Sequence, residues 1–405
     1  MRIIILNHYA GSSYHGMEYR PYYLAKEWIK LGHTVTIIAA SQSHIRTKNP
    51  EFSAKAAKEN IDGINYIWIK TRKYDGNGIK RILNMFDYLC GLYRLIPELV
   101  KTKPNAVIAS STYPLDNYPA YKIAKKSDAK YIYEVHDLWP LSPMEIGEYS
   151  KYHPFIMIMQ WAENFAYRRV DKVVSILPCA EEHMKEHGLG EGKFVHISNG
   201  ISLEELSKTE PLDDTIKRLI PKDKFIVGYT GTFGMANSLN TILEAASIIQ
   251  KQNVDIFFVL IGKGPEKDSL IALQNKLALQ NCIILDAIPK NQVQRAIALF
   301  SICAIAWNNK PSLYRFGISP NKLFDYMYAG KPIIQAIEAG NDIVRDATCG
   351  LTVAPKSPQV MADAIIQLYN MPNSERDRLG NNGKQYVLKN NTFEVLAKIF
   401  LEKIQ

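Results

Sequence analysis

The sequence lacks long apolar runs and closely spaced cysteines, and each absence excludes a class of protein. No stretch reaches the roughly 18–20 apolar residues that a membrane-spanning helix needs. The apolar run at the N-terminus ends at Asn7, which is too soon for a signal peptide and predicts a buried first strand. The five cysteines are scattered, odd in number and without a C-x-x-C spacing. A disulfide framework or a zinc site is therefore not expected, and a reducing, cytoplasmic location fits best.

The basic residues also lack a single dense block, although the net charge is +9. This spread disfavours a nucleic-acid partner. The densest basic stretch, residues 70–103, interleaves lysines and arginines with apolar residues and predicts a basic amphipathic helix. Such a helix suits an anionic membrane surface, so a peripheral position at the inner face of the cytoplasmic membrane is one expectation. An ordinary surface helix with solvated lysines would give the same pattern.

Apolar strand-like runs alternate with longer amphipathic segments along the whole chain, which predicts parallel sheets with crossover helices. A length of 405 residues suits two domains of about 200 residues each. We therefore expect an α/β fold of two Rossmann-like, doubly wound domains that face each other across a cleft, at residues 1–200 and 201–390. Residues 391–405 form an amphipathic last helix that could cross back to the first domain. Residues 202–224 suit a linker.

The strand predictions place the loops where a doubly wound sheet binds its ligand, outside the carboxyl ends of the strands. A helix is predicted at residues 17–31, and the polar stretch of about 24 residues after Ser41 suits a mobile loop that could close over a substrate. The strands are predicted at residues 2–7, 34–40, 66–69, 106–109, 131–135 and 172–176, and then at 225–229, 256–261, 282–285, 303–305 and 332–335.

No G-x-G-x-x-G follows the first predicted strand, which argues against a typical NAD site. The loop there carries Gly11 and Gly16 instead, and a strand, a glycine loop and a helix start can still present backbone N–H groups to an anion. In the second half, Gly231 and Gly262 follow two further strands and would let a ligand approach the backbone closely. The candidates for donor contact in these two loops also include Thr230 and Lys263. A plain strand-to-helix turn would explain each loop equally well.

The segment with the most specific pattern lies in the second half of the chain. It contributes Ser319, Pro320, Asn321, Lys322, Leu323 and Asp325 as candidate ligands of a phosphorylated donor. Ser319 reads as an N-cap and Pro320 as the first helical residue, so a helix would begin here with its free N–H groups and positive dipole end directed at an anion. A cation such as Lys322 is normally disfavoured in the first turn, and a bound phosphate would explain it. A capped surface helix with solvated charges is the alternative.

Together with residues 134–140, 197–201 and 32–35, this segment resembles family 4 of the retaining GT-B glycosyltransferases. The similarity covers nearly the whole chain and is greatest to the branch of bacterial O-antigen and capsule N-acetylfucosaminyltransferases (WbuB-like). It implies a hexosyltransferase that moves a sugar, an N-acetylated deoxysugar being one candidate, from a nucleoside diphosphate donor, with UDP as the expected nucleotide. The acceptor would be a lipid-linked glycan of surface polysaccharide synthesis. The first domain would bind the acceptor and the second the donor, with retained anomeric configuration, no metal and no cofactor.

The resemblance also assigns roles to residues and shows where this sequence departs from the family. Asp325 falls at the second acidic position of the family's E-x7-E pattern, where the side chain grips the ribose. The first acidic position falls on Gly317, and the loop at residues 229–237 holds no basic residue for the diphosphate. We expect Lys322 to compensate for this loss as a catalytic residue, with Lys263 as the second candidate.

His136 ends a predicted strand and is the second candidate catalytic residue, because a histidine there can hydrogen-bond the donor sugar or the acceptor hydroxyl. A turn histidine with only a local hydrogen bond is the alternative. The acceptor-side candidates are His8, His15, Glu18 and Glu145. No group of His, Asp and Glu is recognised at metal-ligand spacing, and helix ends with a lysine can neutralise a leaving diphosphate without a cation.

Two other functions remain open on the sequence alone. A nucleotide-sugar 2-epimerase shares the same two-domain architecture and would need no acceptor. A non-catalytic homologue that serves as an assembly subunit is also consistent with the missing acid at Gly317.

Overall fold

The computed structural model describes residues 1–74, 76 and 78–404, and the chain divides into two compact units. The first unit comprises Met1–Asn199 and Phe393–Gln405, and the second comprises Gly200–Thr392. Each unit is built on one sheet of its own.

The first unit contains an eight-stranded sheet in the order β3-β4-β2-β1-β5-β6-β7-β8. Its strands are β1 (Arg2–Leu6), β2 (Thr34–Ala40), β3 (Ala56–Ile61), β4 (Ile64–Ile69), β5 (Ala106–Ala109), β6 (Lys130–Val135), β7 (Lys172–Ser175) and β8 (Phe194–His196). All neighbouring pairs are parallel except β3 and β4, which are antiparallel. Most of the parallel strands are buried along nearly their whole length, as expected where helices cover both faces of a sheet.

The described part of Met1–Asn199 contains six helices, with a short 3-10 helix at Pro114–Asp116. They are α1 (Arg20–Lys30), α2 (Ile79–Lys101), α3 (Asn117–Ser127), α4 (Leu141–Gly147), α5 (Pro154–Arg169) and α6 (Glu181–Glu186).

The second unit contains a six-stranded parallel sheet in the order β11-β10-β9-β12-β13-β14. Its strands are β9 (Phe225–Thr232), β10 (Ile256–Lys263), β11 (Cys282–Leu285), β12 (Ile302–Ala306), β13 (Ile333–Ala336) and β14 (Gly350–Val353). Its helices are α7 (Leu203–Ser207), α8 (Asp214–Leu219), α9 (Leu239–Lys251), α10 (Lys267–Lys276), α11 (Lys290–Ala298), α12 (Pro311–Tyr314), α13 (Asn321–Tyr328), α14 (Ile343–Asp346), α15 (Pro358–Asn370) and α16 (Asn373–Asn390), with a 3-10 helix at Met235–Asn237.

The last helix, α17 (Phe393–Ile404), belongs to the first unit and lies against α1. The indole Nε1 of Trp28 in α1 donates a 3.0 Å hydrogen bond to the carbonyl oxygen of Ala397, and the Trp28 and Phe400 rings meet edge to face at 5.1 Å between centroids. Both rings are fully buried. The amphipathic face of α17 therefore completes the core of the first unit.

Both sheets reverse their strand order beside their first strand, between β1 and β5 in the first unit and between β9 and β12 in the second. This reversal is the point at which doubly wound sheets bind ligands, outside the carboxyl ends of the strands. The predicted α/β class with two doubly wound sheets is confirmed. None of the described helices is both long enough and apolar enough to cross a membrane.

Several local predictions were wrong. The predicted loop after Ser41 contains β3, which pairs with β4 in a hairpin, and the short strands β8 and β14 were not recognised. Helix α1 begins at Arg20 rather than at residue 17. The segment predicted as a linker with a short helical piece, residues 202–224, contains two helices, α7 and α8, and belongs to the second unit.

Candidate functional site

The predicted donor segment lies at the start of α13 in the second unit. The N-cap is Pro320, in extended conformation, and the helix begins at Asn321, so the prediction of Ser319 as N-cap and Pro320 as first helical residue was one position too early. Ser319 is buried and Asn321 is exposed. The N–H groups of the first turn of an α-helix have no partner within the helix, so the predicted anion-binding end lies at Asn321 and Lys322.

The side chain of Lys322 folds back onto the loop after β9, the loop that lacks a basic residue of its own. Its Nζ donates hydrogen bonds to the hydroxyl of Tyr229 at 2.7 Å and to Oδ1 of Asn237 at 2.5 Å. The same ammonium lies 4.5 Å from the centroid of the Tyr229 ring. A Cβ placed on Gly231 would stand 3.4 Å from this Nζ. Lys322 thus brings a cation to the loop at residues 229–237 from another element of the unit.

Burial of the Lys322 side chain lowers the pKa of its ammonium group to about 7. Both hydrogen-bond partners of Nζ are neutral groups, so neither of them balances its charge. An anion that entered beside Nζ would favour the protonated form and raise this pKa again. A negatively charged group beside Nζ would therefore be stabilised by the ammonium form of Lys322.

Asp325 lies one turn further along α13 and is half-buried. Loss of solvent around its carboxyl group raises the pKa to about 6, although the charge of Lys290 acts in the opposite direction. The next residue, Tyr326, ties α13 to β9, because its hydroxyl accepts from the Thr230 N–H at 2.7 Å and donates to the Thr230 carbonyl at 3.1 Å. The backbone N–H of Thr230, a residue predicted to contact the donor, is thus used inside the protein. Leu323 points into the core, and its amide donates to the Pro320 carbonyl at 3.1 Å.

The glycines at the ends of β9 and β10 allow two loops to lie against each other. Gly262 pairs with Gly231, and a Cβ on Gly262 would stand 1.9 Å from the Gly231 carbonyl oxygen. Gly264 has φ +157°, and a Cβ there would stand 2.3 Å from the Phe233 carbonyl oxygen. Any larger residue at these positions would push the loop at residues 229–237 away from the helix end. Lys263, between them, is exposed.

The first unit holds a buried polar network at the carboxyl ends of β5 and β6. Glu134 forms a 2.9 Å ion pair with Arg20, and each side chain is 2% exposed. Burial alone would raise the pKa of Glu134, but the charge of Arg20 and hydrogen bonds from His136 and Ser110 lower it to about 2. Arg20 also donates to the carbonyl oxygens of Ile197 and Ser198. This ion pair therefore connects the start of α1 with the strand ends of the sheet.

His136 lies at the edge of this network. The Ser110 hydroxyl donates to Glu134 at 2.6 Å, so it accepts from Nε2 of His136, which lies 3.0 Å away. Nε2 therefore carries a proton, and Nδ1 is the ring nitrogen that a ligand would use. Burial lowers the pKa of His136, but Glu134 and Glu18 together raise it above its ordinary value. Two predicted residues, His136 and Glu18, thus lie close enough for the charge of Glu18 to raise the pKa of His136.

A cavity of about 1030 Å³ opens beside the hairpin of β3 and β4 in the first unit. Its lining includes the predicted residue His15 and several residues of the polar stretch after Ser41. The lining combines aromatic with charged side chains, among them Tyr14, Phe52, Trp68, Tyr74, Lys48 and Lys73. Burial lowers the pKa of His15, whose Nδ1 lies 3.0 Å from the Ser12 hydroxyl.

Four other predicted residues lie in the first unit: His8, Gly11, Gly16 and Glu145. His8 is fully buried, with Nδ1 2.5 Å from the Tyr113 hydroxyl and Nε2 2.7 Å from Oδ1 of Asn84, so the prediction that it approaches an acceptor is corrected. The Gly11 and Gly16 N–H groups donate to the carbonyl oxygens of Glu18 and Ser12, which corrects the picture of free amides at these two glycines. Glu145 lies half-buried in α4.

Sequence reasoning missed the residues that hold the predicted ones in place. Tyr229 and Asn237 position Lys322 across 93 and 85 residues of sequence, and no local pattern signals such a contact. Arg20 was also missed. A cation in the first turn of a helix is normally disfavoured, so its position could have signalled a buried partner. A third group, Glu163 with His183 and His187, went unrecognised despite the i, i+4 spacing of the two histidines.

Two family matches cover most of the chain. Residues 14–205 match the family described as Glycosyltransferase Family 4, and residues 213–386 match the family described as Glycosyl transferases group 1. The chain belongs to the glycosyltransferases. Each match falls within the sheet and helices of one unit apart from a few residues at the boundary.

Individual relatives of this glycosyltransferase are distant. A probable glycosyltransferase of Pseudomonas aeruginosa, WbjE, is 24% identical over 304 residues, which are 72% of each chain. A putative teichuronic acid biosynthesis glycosyltransferase of Bacillus subtilis, TuaH, is 23% identical over 249 residues, 59% of this chain and 58% of TuaH. Among solved structures, Anabaena HepE in complex with UDP-glucose has a TM-score of 0.67 at 12% identity, covering 100% of this chain and 99% of HepE. The predicted GT-B fold is confirmed.

Proposed function

We propose that this glycosyltransferase transfers a sugar from a UDP-sugar donor to a lipid-linked glycan in surface polysaccharide synthesis, with retention at the anomeric carbon and without a metal ion. The observation that carries the proposal is the half-buried Lys322 ammonium held by Tyr229 and Asn237 beside the start of α13. The GT-B relative HepE binds UDP-glucose, and TuaH is assigned to teichuronic acid biosynthesis, which supports the choice of nucleotide and of pathway type.

The donor side follows from the charges of the second unit. Lys322 and the free N–H groups at the start of α13 would bind the diphosphate, and Asp325, one turn later, would accept hydrogen bonds from the ribose hydroxyls. As the glycosidic bond to the phosphate breaks, negative charge grows on the leaving diphosphate. A fixed cation in a site with little water stabilises that charge strongly, so no divalent cation is needed for this step.

The acceptor side is proposed from the first unit. The cavity beside the β3–β4 hairpin offers aromatic faces on which sugar rings can stack and lysines that can pair with a phosphate of a lipid carrier. His136 would hydrogen-bond the donor sugar or the acceptor hydroxyl through Nδ1. For the retained configuration we propose departure and attack on the same face of the sugar, and a trapped glycosyl-enzyme adduct would contradict it.

The function is tested by incubating the purified protein with UDP-, GDP- and ADP-sugars and with undecaprenyl diphosphate-linked saccharides, and by following products with mass spectrometry and NMR. We expect transfer from one UDP-sugar, with a retained anomeric configuration in the product. An isomerised sugar nucleotide formed without acceptor would instead identify a 2-epimerase. Nucleotide binding without any turnover would identify a non-catalytic homologue, which the glycine at position 317 keeps as an alternative.

We also propose that α2 attaches the first unit to an anionic membrane. One face of α2 is buried, yet Ile79, Phe86 and Tyr93 on its other side are 74%, 62% and 44% exposed. The exposed Lys80 and Arg94 lie among them. An exposed apolar strip with cations around it fits an interface of acyl chains and negative headgroups.

Membrane attachment is expected to depend on Phe86. In flotation with vesicles of phosphatidylglycerol and phosphatidylethanolamine, Phe86→Ser should reduce the bound fraction several-fold, and raised salt should reduce it further, since the headgroup attraction is electrostatic. Val360→Ser, at an apolar residue of the second unit that is 43% exposed, is the matched control and should bind like the unchanged protein. Equal binding of both variants would contradict the proposal.

Donor binding should be coupled to proton uptake. Because burial lowers the pKa of Lys322 to about 7, the side chain is mostly neutral at pH 8.5 in the free protein. A bound diphosphate favours the ammonium, so UDP-glucose binding at pH 8.5 should take up about one proton, and much less at pH 6. Calorimetry in two buffers with different ionisation enthalpies measures this number. Uptake that persists in Lys322→Met would assign the proton to another group.

A further inference from the structure

A group of three side chains in the first unit has no role in the proposed transfer reaction. Glu163 in α5, His183 in α6 and His187 directly after α6 each direct one potential ligand atom to a common point, and these atoms lie within 4.8 Å of one another. Among the described residues, no other group of three His, Cys, Asp or Glu side chains has its ligand atoms this close together. Glu163 is fully buried, whereas both histidines are half-buried.

The two histidines are arranged as ligands on one helical face. They are four residues apart, and their rings lie 4.4 Å apart between centroids. Nδ1 of His187 lies 2.8 Å from the His183 carbonyl oxygen. A carbonyl only accepts, so Nδ1 is the protonated nitrogen and the lone pair of neutral His187 is on Nε2. Metal-ligating histidines are commonly oriented by this kind of second hydrogen bond.

The carboxylate is oriented as well. The Tyr167 hydroxyl donates to Oε1 of Glu163 at 3.0 Å, and Nε2 of Gln160 donates to Oε2 at 2.8 Å. Both donors belong to α5, so they hold the carboxylate whose oxygen lies within 4.8 Å of a nitrogen of each histidine. Hydrogen-bonded carboxylates of this kind are usual in metal sites, where such outer contacts hold the ligand in place.

From this geometry we propose that Glu163, His183 and His187 form a binding site for a divalent transition metal ion, Zn²⁺ in the first place. Two imidazole nitrogens and one carboxylate oxygen, with one position left to water, are a ligand set that suits Zn²⁺. Around Zn²⁺ with bonds of about 2.0–2.2 Å, ligand atoms lie roughly 3.3–3.6 Å apart, so ligand atoms separated by up to 4.8 Å need to approach by at most about 1.5 Å. The bound ion would join α5 to α6, the two helices on either side of β7 in the chain.

The site is tested on tag-free, EDTA-treated full-length protein with Zn²⁺ and Co²⁺ as the probes. We expect one equivalent of Zn²⁺ by calorimetry, a rise in Tm with Zn²⁺ concentration, and visible Co²⁺ bands of a four- or five-coordinate site. His183→Ala and His187→Ala should each weaken Zn²⁺ binding by at least about 100-fold, since even loss of an outer-shell partner costs about 10–100-fold. His33→Ala, which removes a histidine near the N-terminus, is the control and should bind like the unchanged protein.

Glu163→Gln is the second variant, because it keeps the size of the side chain and should still fold. We expect it to bind Zn²⁺ at least about 10-fold more weakly and to lose the Tm rise at low Zn²⁺. Absence of a stoichiometric Zn²⁺ site in the unchanged protein would overturn the proposal. Binding that is equal in Glu163→Gln, His187→Ala and the unchanged protein would overturn it too. Neither readout depends on sugar transfer, so the result stands apart from the proposed function.

Discussion

Replacing Lys322 with alanine is expected to lower kcat/KM for sugar transfer by about 10²–10³-fold, the range seen when one preorganised donor to a developing charge is removed. The effect should be large because the loop at residues 229–237 has no basic residue of its own that could replace Lys322. Tyr229 and Asn237 hold the Lys322 ammonium in position, so removal of the side chain leaves the diphosphate with backbone N–H groups and the exposed Lys263. Steady-state kinetics with the identified UDP-sugar measures this change.

Three further variants separate charge from shape in this experiment. Lys322→Met keeps the apolar stem and should lose nearly as much activity as the alanine variant. Lys263→Ala removes the exposed lysine between the two glycines and should have a smaller effect, because solvent screens its charge. Lys276→Ala, at the exposed end of α10, should leave kcat/KM unchanged. A mild effect of Lys322→Ala would mean that the diphosphate binds elsewhere.

Breaking the Arg20–Glu134 ion pair is expected to destabilise the first unit by about 3–5 kcal/mol, because it leaves a buried charge without its partner. Both side chains are 2% exposed, and Arg20→Met would strand the Glu134 carboxylate beside His136. Urea unfolding followed by tryptophan fluorescence should show the loss as a lower midpoint for the first unit.

The matched comparison is the exposed pair of Arg72 and Asp87, whose side chains are 48% and 22% exposed. Arg72→Ala should leave the unfolding midpoint nearly unchanged, since solvent screens surface ion pairs. In the double variant Arg20→Met with Glu134→Gln, part of the lost stability should return, because no buried charge is left unpaired. If Arg20→Met lowered the unfolding midpoint no more than Arg72→Ala, the buried ion pair would not stabilise the first unit.

The sequence predicts the architecture well because strand and helix periodicities are local properties. β2, β5 and β11 have the predicted boundaries, and most other strands differ from prediction by a few residues. The β3–β4 hairpin was missed because β3 lies at the sheet edge and is largely exposed, so it lacks the apolar run that marks a buried strand. The end of α1 was predicted within one residue, whereas its start depends on the conformation of the preceding loop.

The candidate site could be predicted only where one segment carries the chemistry. Residues 319–325 were identified because a capped helix start and two charged side chains are adjacent in the sequence. Their partners could not be predicted, since Tyr229 and Asn237 reach Lys322 only through the folded sheet. His8 shows the opposite error: a histidine in a loop after the first strand suggested a ligand contact, but the loop folds inward and both ring nitrogens bond within the core.

The position of α17 in the first unit has a consequence for synthesis on the ribosome. The apolar face of α1 that packs against Phe393 and Phe400 is translated early. Helix α17, which carries these two residues, is translated only after residues 200–392. The second unit is contiguous in sequence and can complete its core while the chain is still growing. Until α17 emerges, Trp28 and its neighbours lack the helix that buries them, and apolar surface left uncovered during synthesis is what chaperones bind. The unit that is translated first is therefore the unit that is finished last.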